Sequence, residues 1–157
     1  SFLLKAVERL SPDNAKQEFF LTDIVRMAGY ASSYLLNDYR EAHGINSRLQ
    51  LSEAAAIMQQ RINRALMDEG VTIMDPASAW ISPLARIGRD VEIWPNVHIM
   101  GECTIDARVT IMPNTWIRNS HIGPRSIIRS FSMIENATVS PDTDLPPNSW
   151  VDGSRQG

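Results

Sequence analysis

The chain has 157 residues, 43% of them hydrophobic and 21% charged, with a net charge of -3, the composition of an ordinary globular protein long enough to bury a core. Basic and acidic residues are interspersed, so there is no basic stripe to suggest nucleic-acid binding; there is no membrane-length apolar run and no secretory leader pattern, which makes a cytoplasmic location the default expectation. The single cysteine, Cys103, leaves no internal disulfide and no cysteine-based zinc site.

The first residues, Ser1-Phe2-Leu3-Leu4, open inside an apolar stretch, as the interior of a longer polypeptide would. Phe2 to Leu10 reads as the end of a helix, closed by Ser11-Pro12-Asp13-Asn14. Thr22-Asp23 is placed to cap a helix running to about Gly29, with Ile24, Met27 and Ala28 as its apolar face. Tyr34-Leu35-Leu36 is a short strand candidate. Ser52 is placed to cap a clear helix, in which Ala54, Ile57, Met58, Ile62, Ala65 and Leu66 form one stripe at helical spacing. Gly70 stands where a C-terminal glycine belongs.

After Gly70 the period changes, with Asp75-Pro76 marking the boundary. Apolar anchors then recur every six residues: Ile81, Ile87, Ile93, Ile99, Ile105, Ile111 and Ile117. The step shortens to five at Ile122, returns to six for Ile128 and Ile134, and shortens again at Val139 before Leu145 and Val151. Small or β-branched residues follow most anchors at the fourth position, among them Val91, Val97, Cys103, Val109, Thr115, Ser126 and Ser132. A strict hexad fits neither an α-helix nor a hairpin sheet. It fits a solenoid of short strands joined by tight corners, with three hexads to a triangular coil. The anchors point inward and the residues between them face water. The spacing predicts a left-handed parallel β-helix of about four coils. It also predicts a corner ladder of Asn96, Asn114 and Asn148 interrupted by Phe131, and one corner shortened twice. The expected organisation is an α/β fragment over 1–51, a linking helix over 52–70 and the β-helix over 71–157.

Several segments carry a family resemblance: Asn14; Glu18-Phe19-Phe20-Leu21-Thr22-Asp23; Gly44-Ile45-Asn46-Ser47-Arg48-Leu49-Gln50-Leu51; Arg61-Ile62-Asn63; Gly70-Val71; and Asp75-Pro76. Together with the isoleucine hexads they resemble the bifunctional N-acetylglucosamine-1-phosphate uridyltransferase / glucosamine-1-phosphate acetyltransferase family. The resemblance implies that 1–51 is the tail of a nucleotidyltransferase domain. It implies the first coils of a hexapeptide-repeat domain after the linking helix, a homotrimeric assembly and no nucleic-acid or membrane partner. It further implies that the complete enzyme forms UDP-N-acetylglucosamine and pyrophosphate from UTP and N-acetylglucosamine 1-phosphate with Mg²⁺.

By the same resemblance, Asn46 matches an asparagine that helps hold Mg²⁺ and the nucleotide phosphates; a hard cation that keeps several waters accepts a single amide oxygen. Read by itself, Asn46 is a turn residue after Gly44. Phe20 and Thr22 match positions lining the sugar pocket, although the family usually has Tyr where Phe20 stands; read by themselves they are a buried aromatic and a helix cap. No glycine-rich phosphate cradle occurs, so no residue is assigned a catalytic role and the chain alone is not expected to catalyse phosphoryl transfer. His98 and His121 are the only histidines on the coils; neither lies in a recognisable catalytic motif. His43 is a weaker ligand candidate, Trp94 and Trp116 suit subunit packing, and Cys103 reads as a small buried side chain. Two other readings stay open: a hexapeptide acyltransferase using acetyl-CoA, and a non-catalytic trimerisation module.

Overall fold

The computed structural model describes residues 2–13 and 15–155. Ser1 and Asn14, both used above, lie outside the described residues. The chain forms two compact units, Ser1–Gly44 and Ile45–Gly157.

In the first unit, α1 (Phe2–Val7) packs with α2 (Asp23–Met27), and Ala6 and Ile24 are buried. The α2 helix stops two residues short of Gly29, and Thr22 at its N-terminus makes no side-chain cap hydrogen bond. The strand expected at Tyr34-Leu35-Leu36 is absent. That segment is irregular, and Tyr34 and Leu35 are 84% and 90% exposed. Apolar character alone does not make a strand without a neighbour to complete its hydrogen bonds.

The second unit opens with α3 (Arg48–Asp68), which starts earlier than Ser52. Ser47 is the N-cap: its hydroxyl accepts from the Gln50 N–H at 3.1 Å, while Gln50 Oε1 accepts from the Asn46 N–H at 2.7 Å. This is a capping box shifted by one residue. Ser52 instead donates to the Leu49 carbonyl within the helix. At the other end Gly70, at φ 99°, lets its own N–H reach the Met67 carbonyl and the Val71 N–H reach that of Leu66, a Schellman closure.

Among the described residues fourteen two- and three-residue strands follow, stacked in three parallel sheets. The first face holds Thr72–Ile73, Glu92–Ile93, Thr110–Ile111, Ile127–Ile128 and Asp144–Leu145. The second holds Trp80–Ile81, His98–Met100, Trp116–Arg118, Met133–Glu135 and Trp150–Asp152. The third holds Arg86–Ile87, Thr104–Ile105, His121–Ile122 and Thr138–Val139. This is the left-handed parallel β-helix, and it runs to nearly five coils rather than four. The anchor isoleucines from Ile93 to Ile134 are 0–1% exposed and stack in columns up the interior, while Ile127 points outward. Each anchor contributes roughly 2–3 kcal/mol by leaving water.

The corners explain the hexad. Asp90, Asn96, Arg108, Asn114, Asn119, Arg125, Phe131, Asn136, Asp142 and Asn148 all adopt φ between 46° and 61°. At most of these corners the residue's N–H bonds a carbonyl of the coil beneath, as from Asn114 to Pro95 at 3.2 Å. Asn96 Nδ2 donates to Asn114 Oδ1 at 3.2 Å, and Phe131 interrupts the ladder. The corner shortened twice carries Asn119 and Asn136. In the buried small-residue slots, the later coils use hydroxyls that donate to corner carbonyls: Thr115 to Met112 and Ser132 to Arg129, each at 2.7 Å.

The first coil has no coil beneath it. Its exposed backbone edge is closed by α3 through Gln59 and Asn63, which are 8% and 0% exposed. Asn63 Nδ2 donates to the carbonyls of Pro76 (2.8 Å) and Ala79 (3.0 Å). Gln59 Nε2 donates to Ile81 O (3.4 Å) and to Asn63 Oδ1 (3.0 Å). The apolar stripe expected on this helix is therefore corrected: Ile62 and Leu66 pack on the core, but Met58 and Ala65 face outward and two carboxamides take the centre. The stripe assignment failed because the helix covers the end of a sheet stack, where polar groups need donors, rather than an apolar sheet face.

Replacing Asn63 with Leu takes the donor from the carbonyls of Pro76 and Ala79 and leaves the Gln59 amide only its Ile81 contact. The expected loss is about 2–4 kcal/mol of stability, read as a lower urea midpoint with an unchanged far-UV spectrum before the transition.

Candidate functional site

The three outward faces of the solenoid differ in chemistry because each row repeats once per coil. The second face stacks Trp80, His98, Trp116, Met133 and Trp150. The His98 and Trp116 rings lie 5.2 Å apart at 20°. Trp116 and Met133 are 37% and 41% exposed, so the row is an aromatic and apolar ladder open to its surroundings. Trp94 does not share it. Trp94 follows a strand of the first face, is half-buried, and its indole Nε1 is buried with no hydrogen-bond partner among the described residues.

The third face is polar, with Arg86, Thr104, His121 and Thr138 in one row. His121 Nε2 sits 2.8 Å from Asp106 Oδ2. A carboxylate at that distance fixes the ring orientation. Beside this pair, Leu84, Arg86, Glu102, Cys103 and Thr104 line a depression of about 420 Å³. Its position follows from the corner geometry: the longer corner at Gly101-Glu102 stands beneath the shortened one at Asn119, whose Oδ1 accepts the Glu102 N–H at 3.2 Å. The His121–Asp106 pair was not anticipated from the sequence. The coil repeat carries the signal, since Thr104 lies directly beneath His121 and Asp106 is two residues further along the same strand direction.

Asn46 lies in the second unit, immediately before the α3 cap. Its N–H is held by Gln50 and the residue is exposed. Phe20 and Thr22 lie in the first unit at the approach to α2; Phe20 is 36% exposed and its carbonyl accepts from Asp23 at 3.0 Å. His43, also in the first unit, makes an edge contact with Tyr39 at 5.6 Å. Among the described residues no group of three or more His, Cys, Asp or Glu side chains is placed to hold a metal ion. One amide oxygen from Asn46 does not make a magnesium site, and the residues present do not fit that ion unaided.

Elsewhere the charges are structural. Arg125 forms a two-pronged pair with Asp142, both bonds 2.6 Å, and Arg129 does the same with Asp144 at 2.7 Å. The guanidinium hydrogen bonds hold both carboxyls below their usual range. Because those values are depressed in the fold, the contribution is present above the unfolded carboxyl range and is lost as pH falls through the folded values. Both pairs are exposed, which keeps the effect small.

Burial pushes the Cys103 thiol up, against weaker lowering by backbone hydrogen bonds. With Sγ 3.2 Å from the Met100 carbonyl and the residue 2% exposed, the thiolate is disfavoured.

Residues 84–119 match the family model described as bacterial transferase hexapeptide (six repeats). The bifunctional protein GlmU of Geotalea uraniireducens (strain Rf4) is 37% identical over 150 residues, covering 93% of this chain and 33% of that protein. The GlmU protein of Geobacillus thermodenitrificans (strain NG80-2) is 42% identical over 131 residues, covering 81% and 28%. That of Synechococcus sp. (strain CC9605) is 37% identical over 161 residues, covering 99% and 36%. The chain spans about a third of the length of these curated relatives. A solved structure of a mutant perosamine N-acetyltransferase from Caulobacter crescentus, in complex with CoA and GDP-perosamine, aligns at 14% identity with a TM-score of 0.32. It covers 64% of this chain and 63% of that one, a superposition too loose to bear on the chemistry. No helix among the described residues is long and apolar enough to cross a membrane.

A thiol reagent such as Ellman's is expected to leave Cys103 unmodified at neutral pH until the coil unfolds. Stoichiometric labelling of the native chain within minutes would contradict the buried assignment.

Proposed function

We propose, from the premise that this chain belongs over the segment it spans to the family of the bifunctional GlmU proteins, that it is the scaffold region of a sugar-nucleotide enzyme. On this reading residues 1–51 are the tail of a nucleotidyltransferase domain, α3 is the link, and the solenoid assembles copies so that the catalytic parts are held in register. The complete enzyme would form UDP-N-acetylglucosamine and pyrophosphate from UTP and N-acetylglucosamine 1-phosphate in the cytoplasm. Any magnesium requirement belongs to that complete enzyme, with Phe20 and Thr22 toward the sugar and Asn46 toward the phosphates. The observation that carries the reading is the match to bifunctional relatives along 93% of the chain, through both units rather than the hexads alone.

Assembly is assigned to the second face. A ladder of Trp80, Trp116, Met133 and Trp150 offers the rigid aromatic area that subunit cores favour, and a straight solenoid suits a closed trimer of parallel copies. A second reading, acetyl transfer from acetyl-CoA, draws on the His121–Asp106 pair. An imidazole oriented by a carboxylate is suited to take a proton from an acceptor amine.

The chain incubated with UTP, Mg²⁺ and N-acetylglucosamine 1-phosphate is expected to release no pyrophosphate, whereas its complete polypeptide does. If the complete polypeptide is inactive too, the first reading fails. Acetyl-CoA-dependent thiol release with an amino sugar, abolished by His121→Gln, would establish the second instead.

In light scattering the chain is expected to run as a trimer and Trp116→Glu as a monomer of unchanged far-UV spectrum. A monomeric parent chain would remove the second face from this role.

A further inference from the structure

Arg86 and Glu102 line the depression of about 420 Å³ on the third face, together with Leu84, Cys103 and Thr104. Among the described residues neither charged side chain makes a hydrogen bond or an ion pair, and the Thr104 hydroxyl is unbonded as well. On the later coils such charges close on each other. Arg118 reaches Glu135 at 3.2 Å, Arg125 reaches Asp142 at 2.6 Å, Arg129 reaches Asp144 at 2.7 Å, and His121 meets Asp106 at 2.8 Å. Each of these pairs joins one coil to the next. Arg86 and Glu102 also stand on successive coils, yet they stay apart.

The backbone explains the separation. Arg86 lies in the first coil, in register beneath Thr104. Glu102 precedes that strand, on the corner, and its N–H is held at 3.2 Å by Asn119 Oδ1 of the third coil. Gly101, at φ 69°, lets the asparagine approach, because a Cβ there would meet the same oxygen. The acid is thus tied to the coil above its own, while the guanidinium belongs to the coil below. The gap between them is part of the corner's construction and not an accident of side-chain rotation.

A guanidinium presents parallel N–H donors that match a carboxylate. A fixed carboxylate that cannot reach that guanidinium attracts an ammonium instead. A simple anion would meet repulsion from Glu102 and a simple cation from Arg86, whereas a zwitterion satisfies both. Thr104 adds a hydroxyl that donates and accepts, and Leu84, 60% exposed, adds apolar surface for a short hydrocarbon body. The volume is in the range of small-molecule sites. We propose that this depression binds a small free amino acid, its carboxylate on Arg86, its ammonium on Glu102 and its apolar side chain against Leu84. Such binding goes beyond both functional readings above and depends on neither: it requires no nucleotidyl transfer, no acetyl donor and no proton transfer by His121.

Amide NMR shifts of Glu102, Cys103 and Thr104 in the isotope-labelled chain read the test. L-Leucine is expected to move them saturably. Leucinamide, which lacks the anion, and isocaproate, which lacks the ammonium, are each expected to need about tenfold more ligand for half the effect, the loss expected for one charged hydrogen-bonding partner. Equal effects from either analogue, or from inorganic phosphate, would overturn the zwitterion assignment, and so would the absence of any saturable shift with leucine. Arg86→Gln and Glu102→Gln are each expected to raise the leucine half-point by about tenfold. Both side chains are exposed and unpaired, so the urea midpoint of the solenoid is expected to stay where it is. A leucine titration unchanged in both variants would remove the site from this face. The two analogues act on the unaltered chain, so the proposal stays testable even if a variant folds poorly.

Discussion

The solenoid depends on how its first coil is closed. Every later coil satisfies its backbone on the coil below it, so the ladder transfers one structural problem downward until it reaches residues 72–87. There the carbonyls of Pro76, Ala79 and Ile81 have no strand beneath them. The donors come from two carboxamides on α3, and Asn63 is wholly enclosed. A carboxamide suits this position because its NH₂ supplies two donors without a charge, whereas a buried ammonium or guanidinium would carry a large desolvation cost. The requirement also sets where α3 must lie. The Schellman turn at Gly70 reverses the chain directly into Thr72–Ile73, leaving almost no slack between the helix and the first strand.

The second constraint is the corner. A triangular coil must turn three times, and from Asp90 to Asn148 each turn places one residue in the left-handed region. Glycine would meet that demand most easily, yet the described coils use asparagine, aspartate and arginine far more often. What they gain is a side chain that bonds along the stack, as Asn96 does to Asn114 and Arg125 to Asp142. Gly101 shows the opposite choice and its reason: a Cβ there would meet Asn119 Oδ1 of the next coil. That same oxygen holds the Glu102 N–H, so the glycine exists to let the overlying asparagine approach. Phe131 takes the left-handed conformation with neither benefit, at a conformational cost of order 1 kcal/mol, and it is 62% exposed. Nothing within the unit explains that choice.

Much of this was legible in the hexads. Period six with β-branched anchors has one structural solution, and counting through the two short steps placed Asn114, Phe131 and Asn148 on one corner. The family likeness was legible in Gly44 to Leu51, and the structure shows part of the physical content of that stretch: Ser47 and Gln50 form the cap that starts α3. The end-closing role of Gln59 and Asn63 was not legible. Helical periodicity identifies apolar stripes, and two polar residues within one look like noise until the unfilled edge above them is known. The His121–Asp106 pair was hidden differently. It joins residues on neighbouring coils that are diagonal rather than directly stacked, so a search along columns passes over it. Tyr34-Leu35-Leu36 failed as a strand because composition reports a preference for burial, not the presence of a partner.

A short-strand solenoid also limits what such a chain can do chemically. Its interior is filled by isoleucine and has no room for a ligand, so any chemistry must lie on the faces or at the ends. A flat face excludes water poorly by itself. One imidazole–carboxylate pair beside a shallow depression therefore becomes a reaction site only when a second surface covers it. The aromatic ladder gives a physical route to that cover: its row spacing is fixed by the coil rise, so two copies meeting there must align in register. On the assembly proposed above, oligomerisation and site formation become one event, and the rigidity of the interior makes the alignment repeatable. In that assembly the repeats supply position, and what a reactive pair on a face still needs is the cover of a second surface.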